Sequence, residues 1–201
     1  MIHKWQILKS MLVKDMLNNF AQQNGTNKRF VVLRENDPSS KLPTIYIPDL
    51  PDNTVVLKTD YDDTEPVFFD SRFDLRRRND YILLTELNGK NIVVHIEMKS
   101  KTLKREHIKR QMNGGNCFLE YLESVSRRLL DSPFSFNDPS CIEHRYVVIY
   151  VLNKPMKFFK ENKMSQPRIG HNSLSNIFYY PVYTGGRKQP KIVKYNELMK
   201  I

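Results

Sequence analysis

Asp80-Tyr-Ile-Leu-Leu-Thr-Glu-Leu87, Asn88-Gly89 and Lys90-Asn-Ile-Val-Val-His-Ile-Glu-Met98 are three consecutive pieces of one reading. Two runs rich in β-branched and aliphatic residues flank Asn-Gly, the pair that most readily takes positive φ at both central positions of a two-residue turn. The stretch is a β-hairpin. Closing it at Asn88-Gly89 sets Leu87 opposite Lys90, and counting outward along both strands brings Asp80 opposite Glu97. Opposed residues hold their Cβ atoms ~5 Å apart, and at an effective dielectric of ~20 two carboxylates at that spacing repel by ~3 kcal/mol. Left alone, the pair would weaken the hairpin.

The residues after the hairpin continue the pattern. From Leu103 to Leu130 good helix formers predominate, giving one helix or two broken at Gly114-Gly115, and Tyr146 to Leu152 is a near-continuous apolar run suited to a buried strand. Ile177 to Tyr183 reads as another strand, followed by a basic turn at Gly185-Gly186-Arg187-Lys188. Before the hairpin, Phe30–Leu33, Thr44–Ile47 and Thr54–Leu57 are short β-rich runs between turn formers such as Asn36-Asp37-Pro38. Asp60, Asp62, Asp63 and Glu65 precede the basic run Arg76-Arg77-Arg78, a charge step typical of a solvated loop. From Lys4 to Ala21, Trp5, Leu8, Leu12, Met16 and Phe20 recur at three- and four-residue steps, which predicts an N-terminal amphipathic helix. The expected class is α/β: a mixed central β-sheet flanked by helices. No repeat or linker interrupts residues 1–201, which read as one domain with a core of about 54–153 and a basic C-terminal extension over 154–201.

Composition narrows the function classes. The 201 residues are 40% hydrophobic and 11% aromatic with only 7 glycines, which excludes a disordered chain or a fibrous repeat. A net charge of +10 and a pI near 9.5 favour polyanionic partners, because Lys and Arg displace counterions condensed on phosphate backbones. Cys117 and Cys141 lack zinc-ligand or disulfide spacing, and no segment approaches the ~18 apolar residues of a membrane span, so a reducing, cytoplasmic setting without membrane is expected.

The acid pair carries the chemistry. Hard carboxylate oxygens are what Mg²⁺ accepts while it keeps several waters and a substrate phosphate, so a cation would turn the Asp80–Glu97 repulsion into affinity. Strand alternation puts Lys99 on the face of Glu97, where an ammonium can orient an attacking water and offset charge on a phosphate. His95 shares that face, and an ordinary strand histidine is the simpler reading of it. Asp80, then Glu97-Met98-Lys99 at the end of the second strand, then a helix bearing Gln111, resembles the PD-(D/E)xK nuclease superfamily, whose fold is restriction-endonuclease-like. The likeness covers roughly residues 80–152. It implies that Asp80, Glu97 and the carbonyl of Met98 bind Mg²⁺ or Mn²⁺, that Lys99 serves the hydrolytic water, and that Gln111 assists. Asn79 stands where the family name has proline, and no acid of the first helix can be assigned as a further ligand.

Arg76, Arg77 and Arg78 on one side of the motif, and Lys99, Lys101, Lys104, Arg105, Lys109 and Arg110 on the other, suit contacts to phosphates, or equally a solvated basic face. Tyr179, Tyr180 and Tyr183 are able to stack on unpaired bases, although packing is the commoner role. The expected protein is a metal-dependent endonuclease on DNA, in restriction, antiphage defence or DNA processing, with a homodimer or a larger assembly as its form. RNA as the substrate, or a non-catalytic nucleic-acid-binding scaffold, are the alternatives.

Overall fold

A computed structural model of the chain describes residues 8–9, 12, 14, 17, 20–22, 29–35, 40, 44–59, 78–100, 103–129, 135–136, 142–152, 174, 176–183 and 190–199. In order, the elements are β1 (Phe20–Gln22), β2 (Arg29–Leu33), β3 (Ile45–Pro48), β4 (Val55–Lys58), β5 (Tyr81–Leu87), β6 (Lys90–Lys99), α1 (Arg105–Leu129), β7 (Ile142–Leu152), β8 (Phe178–Tyr183), β9 (Lys191–Ile192) and α2 (Tyr195–Leu198). They form a mixed α/β fold with two mixed sheets, one of five strands ordered β4-β5-β6-β7-β8 and one of four ordered β1-β2-β3-β9.

The hairpin is as its sequence demands. Asn88 and Gly89 take φ of 53° and 76°, the two positive values a type I′ turn needs, and the ladder runs from Leu87↔Lys90 to Tyr81↔Ile96. β7 then pairs parallel to β6, with α1 as the crossover that parallel neighbours require, and β8 pairs parallel to β7. Strand β6 is thereby central and covered on both faces, and seven consecutive residues from Ile92 to Met98 are buried.

Its alternate side chains go to two different places. Ile92, Val94, Ile96 and Met98 meet Val31, Leu33, Ile45 and Ile47 of the four-stranded sheet, together with Tyr195 and Leu198 of α2. Residues of the opposite parity face α1: Val93 joins Ile82, Leu84, Leu119 and Leu122, and the neighbouring strand adds Tyr146 and Val148 against Ile108 and Met112. The buried positions of α1 (108, 111, 112, 115, 119, 122, 123 and 126) fall on one stripe of three- and four-residue spacing, that of a helix lying on a sheet.

The structure corrects the sequence reading at the N-terminus and decides between its two alternatives for the long helix. The N-terminal helix expected over residues 4–21 does not include Phe20 and Ala21, which pair antiparallel with Val31 and Phe30 in β1; Leu8 and Lys9 are helical, Leu17 bridges to Leu57, and most of the remaining expected helix lies outside the described residues. Ladder pairing along one edge of β2 outweighs the helical spacing there. Gly114-Gly115 does not divide the helix, which is continuous from Arg105 to Leu129. Among the described residues no helix is long and apolar enough to cross a membrane.

Candidate functional site

The β5–β6 ladder stops one pair short of the two acids. Asp80 lies just outside β5, where its carbonyl accepts the Thr59 amide at 3.0 Å. Its carboxylate does not simply oppose Glu97 across the ladder; Oδ2 accepts the Met98 amide at 2.5 Å. The physical reason is the repulsion foreseen from sequence: a half-buried carboxylate beside a second one does better on an N–H donor. Burial first, then the charges of Glu97 and Glu35, hold the Asp80 carboxyl well above the usual range, against the pull of the Met98 amide and Lys99. Met98 thus contributes its N–H to Asp80, while its side chain goes to the opposite, apolar face.

Glu97 is fully buried, and Lys99 forms an ion pair with its Oε1. Alternation along β6 brings the two together, as the sequence indicated. Burial pushes the Glu97 carboxyl up to about 7 even though Lys99 and the Gln111 side chain pull it back and Glu35 adds a smaller upward push. Gln111 comes from α1, one turn before Gly115, and is itself buried. Besides Lys99, the Gln111 side chain reaches the Glu97 carboxyl, while Gln111 Oε1 has no hydrogen-bond partner among the described residues. A buried carboxylate held by one ammonium, beside a buried amide oxygen without a donor, offers hard oxygens of the kind a divalent cation accepts. Among the described residues no three His, Cys, Asp or Glu side chains converge closely enough to enclose a metal by themselves.

Glu35 went unnoticed in the sequence. It follows β2 in the other sheet, and its charge reaches both Asp80 and Glu97. The Tyr81 hydroxyl holds it there, donating to the Arg34 carbonyl at 2.8 Å and accepting the Arg34 amide at 3.0 Å. No motif announces such a residue, because its place depends on a tyrosine hydroxyl 47 positions from the adjoining Arg34.

Asn79, just before the hairpin, orders the chain there through its side chain. Fully buried, it donates through Nδ2 to the Tyr81 carbonyl and, at 3.5 Å, to that of Ile96, while its own carbonyl accepts the Thr59 hydroxyl. Its Oδ1 presses against the backbone of α1: a Cβ at Gly115 would lie 1.8 Å from that atom and 3.0 Å from His95 Nδ1. Gly115 is a packing accommodation for the hairpin.

His95 is buried, stacked on Tyr146 and His144 with ring centroids 4.9 and 5.4 Å away. Burial and the neighbouring His144 keep it neutral, its pKa well below the ordinary value, and burial lowers that of His144. His144 Nε2–H donates to the Phe136 carbonyl at 2.7 Å, which leaves its Nδ1 to accept from His95 Nε2–H at 3.1 Å. Phe136 is fixed in turn by Glu123 of α1, which accepts its amide at 2.6 Å and the Ser135 hydroxyl at 3.1 Å. These groups tie helix to sheet behind the acids and have no free edge toward solvent, in keeping with a structural histidine.

The basic residues are distributed unevenly. Arg78 lies over the Phe118 ring of α1, 5.5 Å from its centre, and Lys104 and Arg105 are exposed at the start of α1, beside the end of β6. Lys109 pairs with Glu106 at 3.3 Å on the outer side of the helix. Arg76, Arg77, Lys101, the acidic run of residues 60–65 and the turn at 185–188 lie outside the described residues. Tyr180 donates its hydroxyl to Glu197, on the side of the sheet away from the acids. The chain matches no protein-family model, no curated protein and no solved structure.

Proposed function

We propose that this protein is a metal-dependent phosphodiesterase acting on nucleic acid, DNA in the first instance, with a restriction-endonuclease-like core of the PD-(D/E)xK kind. The observation that carries the reading is Glu97, a carboxylate with no solvent exposure whose ion-pair partner is Lys99, placed beside Asp80 and Gln111, whose amide oxygen is buried without a donor. A buried carboxyl with such a high pKa is costly to keep in an apo protein, and a site that binds a cation gives a reason for it.

Asp80, Glu97, the Met98 carbonyl and Gln111 would hold Mg²⁺ or Mn²⁺, with Glu35 adding negative charge at the rim. The bound cation would neutralise phosphate charge and acidify a coordinated water. Lys99 does the remaining work from the protein side: its ammonium leaves Glu97 when a cation replaces it, and is then positioned to orient the attacking water and offset charge on the phosphate. Asp80 keeps its aim through the Met98 amide, and the buried wall of His95, Asn79 and Gly115 excludes water from behind. Lys104, Arg105 and the basic residues around Arg76 and Lys101 would grip the phosphates on either side.

The test is cleavage of plasmid and of labelled DNA and RNA with Mg²⁺ by wild type, Glu97→Ala and Lys99→Ala. Metal-dependent cutting by wild type and its loss in both variants is expected; equal behaviour of all three proteins would end this reading. One observation favours a non-catalytic binding module instead, namely that Lys99 already pairs with Glu97. Tight DNA binding with no metal-dependent turnover is the outcome that would select it.

A further inference from the structure

The parallel pairing of β6 with β7 sets Lys99 beside Tyr150. Aligned residues of neighbouring strands project to the same side, so Tyr150 stands one strand spacing, ~4.8 Å, from the lysine on the face that bears Glu97. Tyr179 of β8 is aligned with Val148, which is aligned with Glu97, and so lies on that face too. The two rings meet edge to face, 6.4 Å apart and inclined at 76°. Both pack at the margin of the small apolar cluster under the start of α1 and both are only half-buried. Cations surround them: Lys99 on one side, exposed Lys104 and Arg105 on the other, with the Arg105 charge reaching Tyr179. Tyr180, next to Tyr179 in the chain, projects the other way and uses its hydroxyl on Glu197.

We propose that Tyr150 and Tyr179 form a stacking surface for an unpaired base next to the cleaved phosphate, so that the substrate is a nucleic acid whose strand is open at the cut: single-stranded, flapped or frayed. This rests on the nuclease reading above. A phosphate over Lys99 places its own sugar, and the base it carries, above the adjoining strand, and there the surface changes from charged to aromatic. A base inside an intact duplex has both faces covered by its neighbours and cannot use a protein ring; an unstacked base can, and aromatic residues set among cations are the usual means of holding one without regard to sequence. The face commits to nucleic acid rather than to an apolar peptide because Lys99, Lys104 and Arg105 complement phosphate.

The experiment uses one oligonucleotide carrying 2-aminopurine beside the cleaved position, single-stranded or annealed to its complement, with wild type, Tyr150→Phe, Tyr150→Leu and Tyr179→Leu. Wild type should cut the single strand with the lower KM and quench the fluorophore on binding. Tyr150→Phe should behave like wild type. Tyr150→Leu should weaken single-strand binding by roughly 5- to 100-fold with kcat little changed, and Tyr179→Leu should do so to a smaller extent. Single-strand binding unaltered by either leucine variant, both folded by circular dichroism, would overturn the proposal, as would equal use of duplex and single strand by wild type without quenching. If wild type cuts neither substrate the nuclease reading fails, and the fluorescence change, which needs no turnover, still decides whether the surface stacks a base.

Discussion

Strand β6 presents two surfaces made from one run of residues, and they obey different rules. The even positions, from Ile92 through Met98, enter an apolar layer between the sheets, where residues of suitable volume satisfy the same requirement. The odd positions carry Val93, His95, Glu97 and Lys99 under or beside α1, and there polar atoms are buried in arrangements that only particular partners complete. One face makes the strand stable, and the other uses part of that stability to keep charge out of water. The difference between the faces, more than either alone, is the reason to place the proposed site on the α1 side of the sheet.

The comparison is broken most severely by Glu97→Gln set against Val94→Ala. The first should abolish metal-dependent cutting, roughly a thousandfold or more, while raising the melting temperature of the apo protein at pH 8 by several degrees. The second should lower stability by about 2 kcal/mol and leave Mn²⁺ affinity unchanged. Calorimetric titration and thermal melts on both variants check the opposed signs; two variants that move both quantities the same way would remove the distinction.

Protonation is the next largest effect. The folded pKa of Glu97, about 7, lies above its ordinary 4.5, so the folded state holds the proton more tightly. The associated stability is full below about 4.5 and is lost as pH rises through 7, by up to about 3 kcal/mol in the apo protein. Metal binding runs the other way, since the ligand must ionise: Mn²⁺ affinity should fall by about tenfold per pH unit below 7. Urea denaturation and metal titration between pH 5 and 8 would show the two opposed slopes, and parallel slopes would contradict the assignment.

Gly115→Ala should cost about 2 kcal/mol, because the new methyl meets Asn79 Oδ1 and neither the helix nor the buried amide has room to retreat. Mn²⁺ affinity should drop with it as Asp80 and Gln111 lose their spacing. The smallest change is Tyr81→Phe, which removes both bonds to Arg34 at about 1 kcal/mol in stability and a few-fold in metal affinity. Glu35→Gln should reproduce the metal effect without the loss of stability, and the double variant should add little to it.

The hairpin was legible because its information is local: an Asn-Gly turn, two β-rich runs and an alternation that fixes which residues share a face. The same local rules delivered Glu97 with Lys99 and most of strand β7, while Gln111 was singled out only by the family resemblance. What could not be read depends on contacts between distant segments. Phe20 follows a helical spacing yet joins β1 because an edge of β2 is there to receive it. Asp80 obeys the register until burial makes the opposed position unfavourable, and a backbone amide captures it. Glu35, His144 and Glu123 look like any other polar residues until tertiary packing delivers them to the hairpin.

The hydroxyl of Tyr81 grips both polar groups of one peptide residue, Arg34, and so acts as a single rung laid between two sheets that share no other strand. Because Asp80 is next to that tyrosine and Glu35 next to that arginine, the gap between the two acids is governed by how far one sheet slides over the other. The negative potential at the pocket is therefore a function of shear between layers, a quantity that no individual strand encodes.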